Sequence, residues 1–193
     1  MREARAGLER GKLVYTIRPK GVLRRTYHLR SADKISISDF DNLAADIRQR
    51  PRKVRKVGLV AACRATERRI VHTCWESEVT TNVAEPGDWI VTNLDKHGAV
   101  LRDRSNNQNT YVVKAASFDR IYMRAAGEDG EFGPLFKARA QNVVEALYFA
   151  DGFDILAPWN HRQTADAGYL LRNGPEVYGN ERTAFEATYE DVA

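Results

Sequence analysis

The residue types best suited to chemistry fall between Ile70 and Val83. Read as one strand, with side chains alternating between two faces, this stretch puts His72, Cys74, Glu76 and Glu78 on the same side. Imidazole, thiolate and carboxylate are metal-ligand types, and Glu76 with Glu78 has the makings of an acid/base pair. The spacing argues against a closed site. Positions i and i+2 on a strand stand roughly 6.5 Å apart, so two of them seldom hold a metal without ligands from elsewhere. Cys63 or His97 could supply these, but nothing in the sequence demands it. The favoured reading is an outward, solvated strand face. His72 and Cys74 are the metal candidates, and the sequence requires neither a metal nor a cofactor.

A second set is basic. Arg18, Lys20, Arg24, Arg25 and Arg30, with Lys12 and His28, fall in an N-terminal stretch, followed by Arg52, Lys53, Arg55 and Lys56. Guanidinium and ammonium groups neutralise phosphates and release counterions, so such a surface binds nucleic acid in a salt-dependent way. Tyr15 and Tyr27 could stack on bases, although their alternation suits a core better. A basic but inert face, or one that docks an acidic region of the same chain, is the competing reading. A third set, Trp159-Asn160-His161-Arg162-Gln163, could bring His161 and Arg162 to a phosphate; the plainer reading is a surface loop with Trp159 turned inward. The sequence has no Walker loop, dinucleotide fingerprint, nucleophile elbow or paired Cys-x-x-Cys.

The elements that must position these groups follow from periodicity. Residues 12–30 read as a hairpin about Pro19-Lys20-Gly21. Phe40, Leu43, Ala44 and Ile47 predict a helix over 39–49, capped by Ser38 with Asp41 and stopped by Pro51. Residues 51–56 read as a basic connector. Val57–Cys63, Trp89–Thr92 and Tyr111–Lys114 read as strands, and Ala116–Tyr122 as a helical turn that puts Phe118 and Tyr122 on one face. Phe136–Phe149 is open between helix and strand by periodicity.

A repeat decides that case. Trp89, Tyr111, Phe118 and Tyr122 are echoed by Tyr169, Tyr178, Phe185 and Tyr189. Tyr111 to Phe118 and Tyr178 to Phe185 are both seven positions; Phe118 to Tyr122 and Phe185 to Tyr189 are both four. The repeat makes Val143–Phe149 a strand, matching Val57–Cys63, and predicts a tight hairpin about Asn173-Gly174. The copies differ in a loop: Asn93 to Tyr111 spans 18 positions, Asn173 to Tyr178 only 5. The 94–110 insertion is turn-forming and solvated, fit for a recognition loop or a merely tolerated connection.

The 193 residues carry a net charge of +4 that is unevenly spread. Residues 1–56 hold 16 Lys and Arg against 6 Asp and Glu, a net +10, whereas residues 125–193 hold 5 against 12, a net −7. No run of 18 apolar residues and no apolar leader is present, so a cytoplasmic protein that does not enter membranes is expected, in a bacterium or a phage-infected cell. Two cysteines fit a reducing compartment.

The expected fold is α+β and β-rich: a basic hairpin-helix module over 1–56, then two related small antiparallel β domains over 57–126 and 134–193. Pro86-Gly87-Asp88-Trp89, Lys114, Phe118 and Tyr122 resemble a family of small bacterial and phage domains named for a Pro-Gly-Asp-Tyr-Gly-like motif. The resemblance covers about 57–124, and 138–193 more loosely, since Ala167-Gly168 replaces Gly-Asp and Asn180 stands roughly where Lys114 would. It implies a fold and no particular activity.

The leading functional expectation is a non-enzymatic binding or adaptor protein whose basic module contacts nucleic acid or an acidic protein. One rival is an enzyme using His72, Glu76, Glu78, His97 and His161 between the two copies. Another is an assembly protein, a homo-oligomer joined through its oppositely charged ends.

Overall fold

The computed structural model describes residues 13–20, 24–75, 78–95, 97–127, 129–130 and 133–192. Among them are sixteen strands and three helices, a β-rich α+β protein built mainly from antiparallel sheets. The chain forms two compact units, Met1–Lys53 with Val144–Phe185, and Val54–Val143 with Glu186–Ala193.

The first unit opens with a hairpin, β1 (Leu13–Lys20) and β2 (Arg24–Lys34), followed by α1 (Ile37–Asp46). The helix begins two residues before the sequence expectation. Ser36, not Ser38, is the N-cap: its Oγ accepts from Asp39 N–H at 3.2 Å, and Asp39 Oδ2 accepts from Ser36 N–H at 2.8 Å. Both serines are followed three positions on by an aspartate, so the capping-box pattern fits either register. Phe40 and Leu43, one turn apart, are fully buried. They join Leu29, Leu147, Phe149, Phe153, Ile155, Leu170 and Val177 in one core. Each such side chain contributes about 1.5–3 kcal/mol over remaining exposed.

The same unit contains β11 (Val143–Phe149) from Val144 onward, β12 (Phe153–Leu156), β13 (Arg162–Ala165), β14 (Gly168–Asn173) and β15 (Glu176–Glu181), then α3 (Arg182–Thr188) as far as Phe185. β12 and β13 extend the N-terminal hairpin into a four-stranded sheet of order β1-β2-β12-β13. β14 pairs antiparallel with both β11 and β15. The Phe153 ring lies where a Cβ on Gly179 would sit, 2.3 Å away, and within 2.7 Å of one on Gly168. Only glycine admits the ring at either place.

The second unit contains β4 (Leu59–Arg64), β5 (Arg69–Trp75), β6 (Glu78–Ala84), β7 (Trp89–Asn93), β8 (Thr110–Val113), α2 (Ala115–Ile121), β9 (Tyr122–Arg124) and β10 (Leu135–Ala138). Five of these strands form one sheet, in order β8-β7-β4-β10-β9. Beside it β16 (Tyr189–Asp191) pairs antiparallel with β3 (Arg52–Lys56) through Tyr189–Lys56, Glu190–Arg55 and Asp191–Val54. Two sequence expectations change here. The stretch 70–83 is a hairpin, β5 with β6, rather than one strand. The 51–56 connector is largely the strand β3, with Val54 and Lys56 buried between exposed basic residues.

Two runs pass through the same elements in the same order. β4, the β5–β6 hairpin, β7, β8, α2 and β9 are matched by β11, the β12–β13 hairpin, β14, β15, α3 and β16. Their aromatic anchors stack alike. Trp89 lies on Phe118 with centroids 4.0 Å apart and planes 12° from parallel; Tyr169 lies on Phe185 at 3.8 Å and 20°. Such pairs contribute about 0.5–1.5 kcal/mol beyond burial.

Candidate functional site

The groups proposed from sequence as catalytic or metal-binding fall in both units. His72 is exposed on β5, its Nδ1 3.1 Å from Thr81 Oγ1 across the hairpin. Cys74 pairs with Val79 and Trp75 with Glu78 along the backbone, and Glu76 and Lys12 lie outside the described residues. His97 is exposed, and its backbone N–H donates to Asp95 Oδ1 at 2.8 Å. His161 belongs to the other unit, where its carbonyl accepts from Ala157 N–H at 2.9 Å. Among the described residues no three His, Cys, Asp or Glu side chains gather as a metal requires. Trp159, expected inward, is 39% exposed with its ring 5.7 Å from that of Tyr178. Neighbouring Arg162 is held by Asp154 at 2.6 Å.

The basic residues separate by environment. Arg52, Lys53 and Arg55 are exposed on β3. Arg52 also donates to Tyr169 Oη at 3.4 Å. Arg30 is exposed and reaches Asp154 at 3.5 Å, so part of its charge is answered within the protein. Arg18, Lys20, Arg24 and Arg25 lie toward the turn of the β1–β2 ribbon, where the backbone register sets Lys20 across from Arg24 and Pro19 across from Arg25. β12 pairs with β2 only from Leu29 onward, so the turn-proximal half is a two-stranded ribbon.

Lys56 departs from the expectation that it displays charge: it is only 7% exposed. As a residue of β3 it follows the strand's inward alternation, two positions after fully buried Val54. Its amine donates to Asn93 Oδ1 at 2.5 Å, Tyr111 Oη at 2.9 Å and Tyr122 Oη at 3.2 Å. Those partners come from the end of β7, the start of β8 and the start of β9. Tyr111 Oη also donates to Asn93 Oδ1 at 3.1 Å and lies 2.9 Å from Tyr122 Oη. Asn93 Nδ2 then donates to Asn109 Oδ1 at 2.5 Å, at the end of the long β7–β8 loop.

An ammonium has three N–H donors, and three oxygens receive them. Both rings also stand within cation–π range, 5.4 Å to Tyr111 and 5.6 Å to Tyr122. Against these contacts stands the cost of removing a charge from water, and that cost prevails: burial pulls the amine down from 10.5 to about 7. Near neutral pH the group is thus divided between ammonium and free amine. Sequence reading missed this cluster because Lys56 sits among solvated cations. The available signal was the alternation Val54, Lys56 between Lys53, Arg55 and Val57.

The turn that carries the Pro-Gly-Asp motif is tied down separately. Asp88 Oδ2 accepts from Glu85 N–H at 2.9 Å and from Lys114 Nζ at 2.6 Å, while Gly87 takes a φ of 92°. In the second run the ladder sets Tyr169 opposite Asn180 as Trp89 is set opposite Val113, so Glu181 takes the place of Lys114. Glu181 Oε2 accepts from Thr183 N–H at 2.7 Å and Ala184 N–H at 3.0 Å, capping α3.

No protein-family model, curated protein or solved structure matches this chain. No helix among the described residues is long and apolar enough to cross a membrane.

Proposed function

We propose that this is a non-enzymatic binding protein that grips the phosphate backbone of nucleic acid through its β1–β2 ribbon. The observation that carries the reading is the ribbon's charge: residues 11–30 hold six Lys and Arg and no Asp or Glu, and the register brings Lys20 and Arg24 together beside the turn. A two-stranded ribbon also has the dimensions to enter a major groove about 12 Å wide. The buried Lys56 is left out of this surface; exposed Arg52, Lys53 and Arg55 are retained as further cationic candidates.

The reading places the protein in the cytoplasm of a bacterium or a phage-infected cell. It keeps the resemblance to the Pro-Gly-Asp-Tyr-Gly-type domains, supported by the Asp88 turn and the stacked Trp89–Phe118 pair.

Fluorescence anisotropy with a labelled 20-base-pair duplex and a labelled polyglutamate peptide tests it. Four phosphates neutralised by the ribbon predict about a hundredfold loss of duplex affinity between 50 and 200 mM salt. Binding of polyglutamate alone would move the reading to an acidic protein partner. Binding of neither at 50 mM salt would end it.

A further inference from the structure

We propose that Lys56 is a nucleophilic amine that condenses with a small aldehyde or ketone, with Tyr111 and Tyr122 exchanging the protons. This goes beyond nucleic-acid binding and does not depend on it. The amine, two phenols and the Asn93 amide form one hydrogen-bonded set, with contacts of 2.5–3.2 Å around Nζ. Amines attack carbonyls as the free base, and Schiff-base lysines owe their reactivity to desolvation of this kind. The amine's value of about 7 leaves a large share of free base at neutral pH. An ordinary lysine near 10.4 is deprotonated there only to about one part in 2,500.

The phenols supply what the reaction needs next. The Nζ lone pair forms a bond to the carbonyl carbon, and the carbonyl oxygen takes a proton from a phenol. The nitrogen then returns one of its protons to that phenolate, leaving a neutral carbinolamine. Its hydroxyl departs as water with a proton from the phenol, C=N forms, and the remaining N–H proton restores the phenol. Only water is released, so no oxidant or reductant takes part. The 2.9 Å contact between Tyr111 Oη and Tyr122 Oη lets either ring replenish the other's proton. Lys56 is only 7% exposed, which confines the partner to a small carbonyl compound; Tyr111 and Asn109 beside it are half-buried.

Reductive alkylation of the full-length chain tests the proposal without any variant. The protein is treated with acetaldehyde and cyanoborohydride at pH 7, digested with a protease that does not cut at lysine, and its eight lysines are ranked by mass mapping. The expected result is that Lys56 is ethylated at least about tenfold faster than any other lysine, an advantage that shrinks at pH 10 and in urea as ordinary lysines lose their protons or the site is lost. Tyr111→Phe and Tyr122→Phe, checked for folding by circular dichroism, should slow Lys56 labelling severalfold. Lys56 as the slowest lysine at pH 7 would mark a sealed structural amine and overturn the proposal. Unchanged labelling in both tyrosine variants would overturn the role of the phenols.

Discussion

The amine of Lys56 donates to the phenol oxygen of Tyr122 at 3.2 Å, while its backbone faces Tyr189 across the β3–β16 ladder. Tyr122 and Tyr189 are the corresponding tyrosines of the two repeated stretches, so one lysine touches both. The contact depends on strand alternation. A shift of one residue in β3 would turn Lys56 to solvent and bring Arg55 or Val57 inward.

Lys56 should make stability depend on pH in a specific direction. Its folded-state value, about 7, lies below its value in the unfolded chain. Between the two, unfolding takes up a proton, so raising the pH disfavours unfolding. Wild type should therefore gain stability above pH 7, with a slope approaching about 1.4 kcal/mol per pH unit. Lys56→Met should lack this contribution. Urea unfolding of both proteins at pH 7, 8 and 9 measures it, and a pH-independent difference between them would contradict the assignment.

The two stacked pairs should be comparably important. Phe118 and Phe185 are 1% and 2% exposed. Phe118→Ala and Phe185→Ala should each cost about 3–5 kcal/mol by lost burial and a residual cavity. Thermal or urea unfolding reads this directly. A cost below about 1 kcal/mol for either would mean that its ring does not hold its core together.

The cap of α1 separates two registers. Ser36→Ala removes the acceptor for Asp39 N–H and should cost about 1 kcal/mol. Ser38→Ala, at an exposed position inside the helix, should be neutral or slightly stabilising. The opposite order in unfolding experiments would place the helix start at Ser38.

Some of this structure was legible in the sequence. The seven-and-four spacing of Tyr, Phe and Tyr aligned the two runs and marked α2, although Tyr122 opens β9 instead of ending the helix; β9, α3 and β16 were not read from it. Asn173-Gly174 marked the β14–β15 turn, where Gly174 has a φ of 59°. The long strand expected over 70–83 concealed a hairpin because alternation continues through Glu76 and Ser77 without Gly or Pro to mark the turn. β3 was hidden by composition. A strand with only Val54 and Lys56 buried reads as a charged linker until its partner β16 is known. The Lys56 cluster joins residues as many as 66 positions apart, and no local pattern announces such a meeting.

The central claim, that the β1–β2 ribbon is the nucleic-acid grip, is tested most directly by the salt dependence of duplex binding in two variants. One carries Arg18→Ala, Lys20→Ala, Arg24→Ala and Arg25→Ala; the other carries Arg102→Ala, Arg104→Ala, Arg120→Ala and Arg139→Ala, an equal loss of charge from residues that are not part of the ribbon. The ribbon variant should lower the slope of log affinity against log salt by up to about 3.6, at about 0.9 per phosphate contact, and the control should leave it near the wild-type value. Equal slopes in wild type and the ribbon variant would contradict the account.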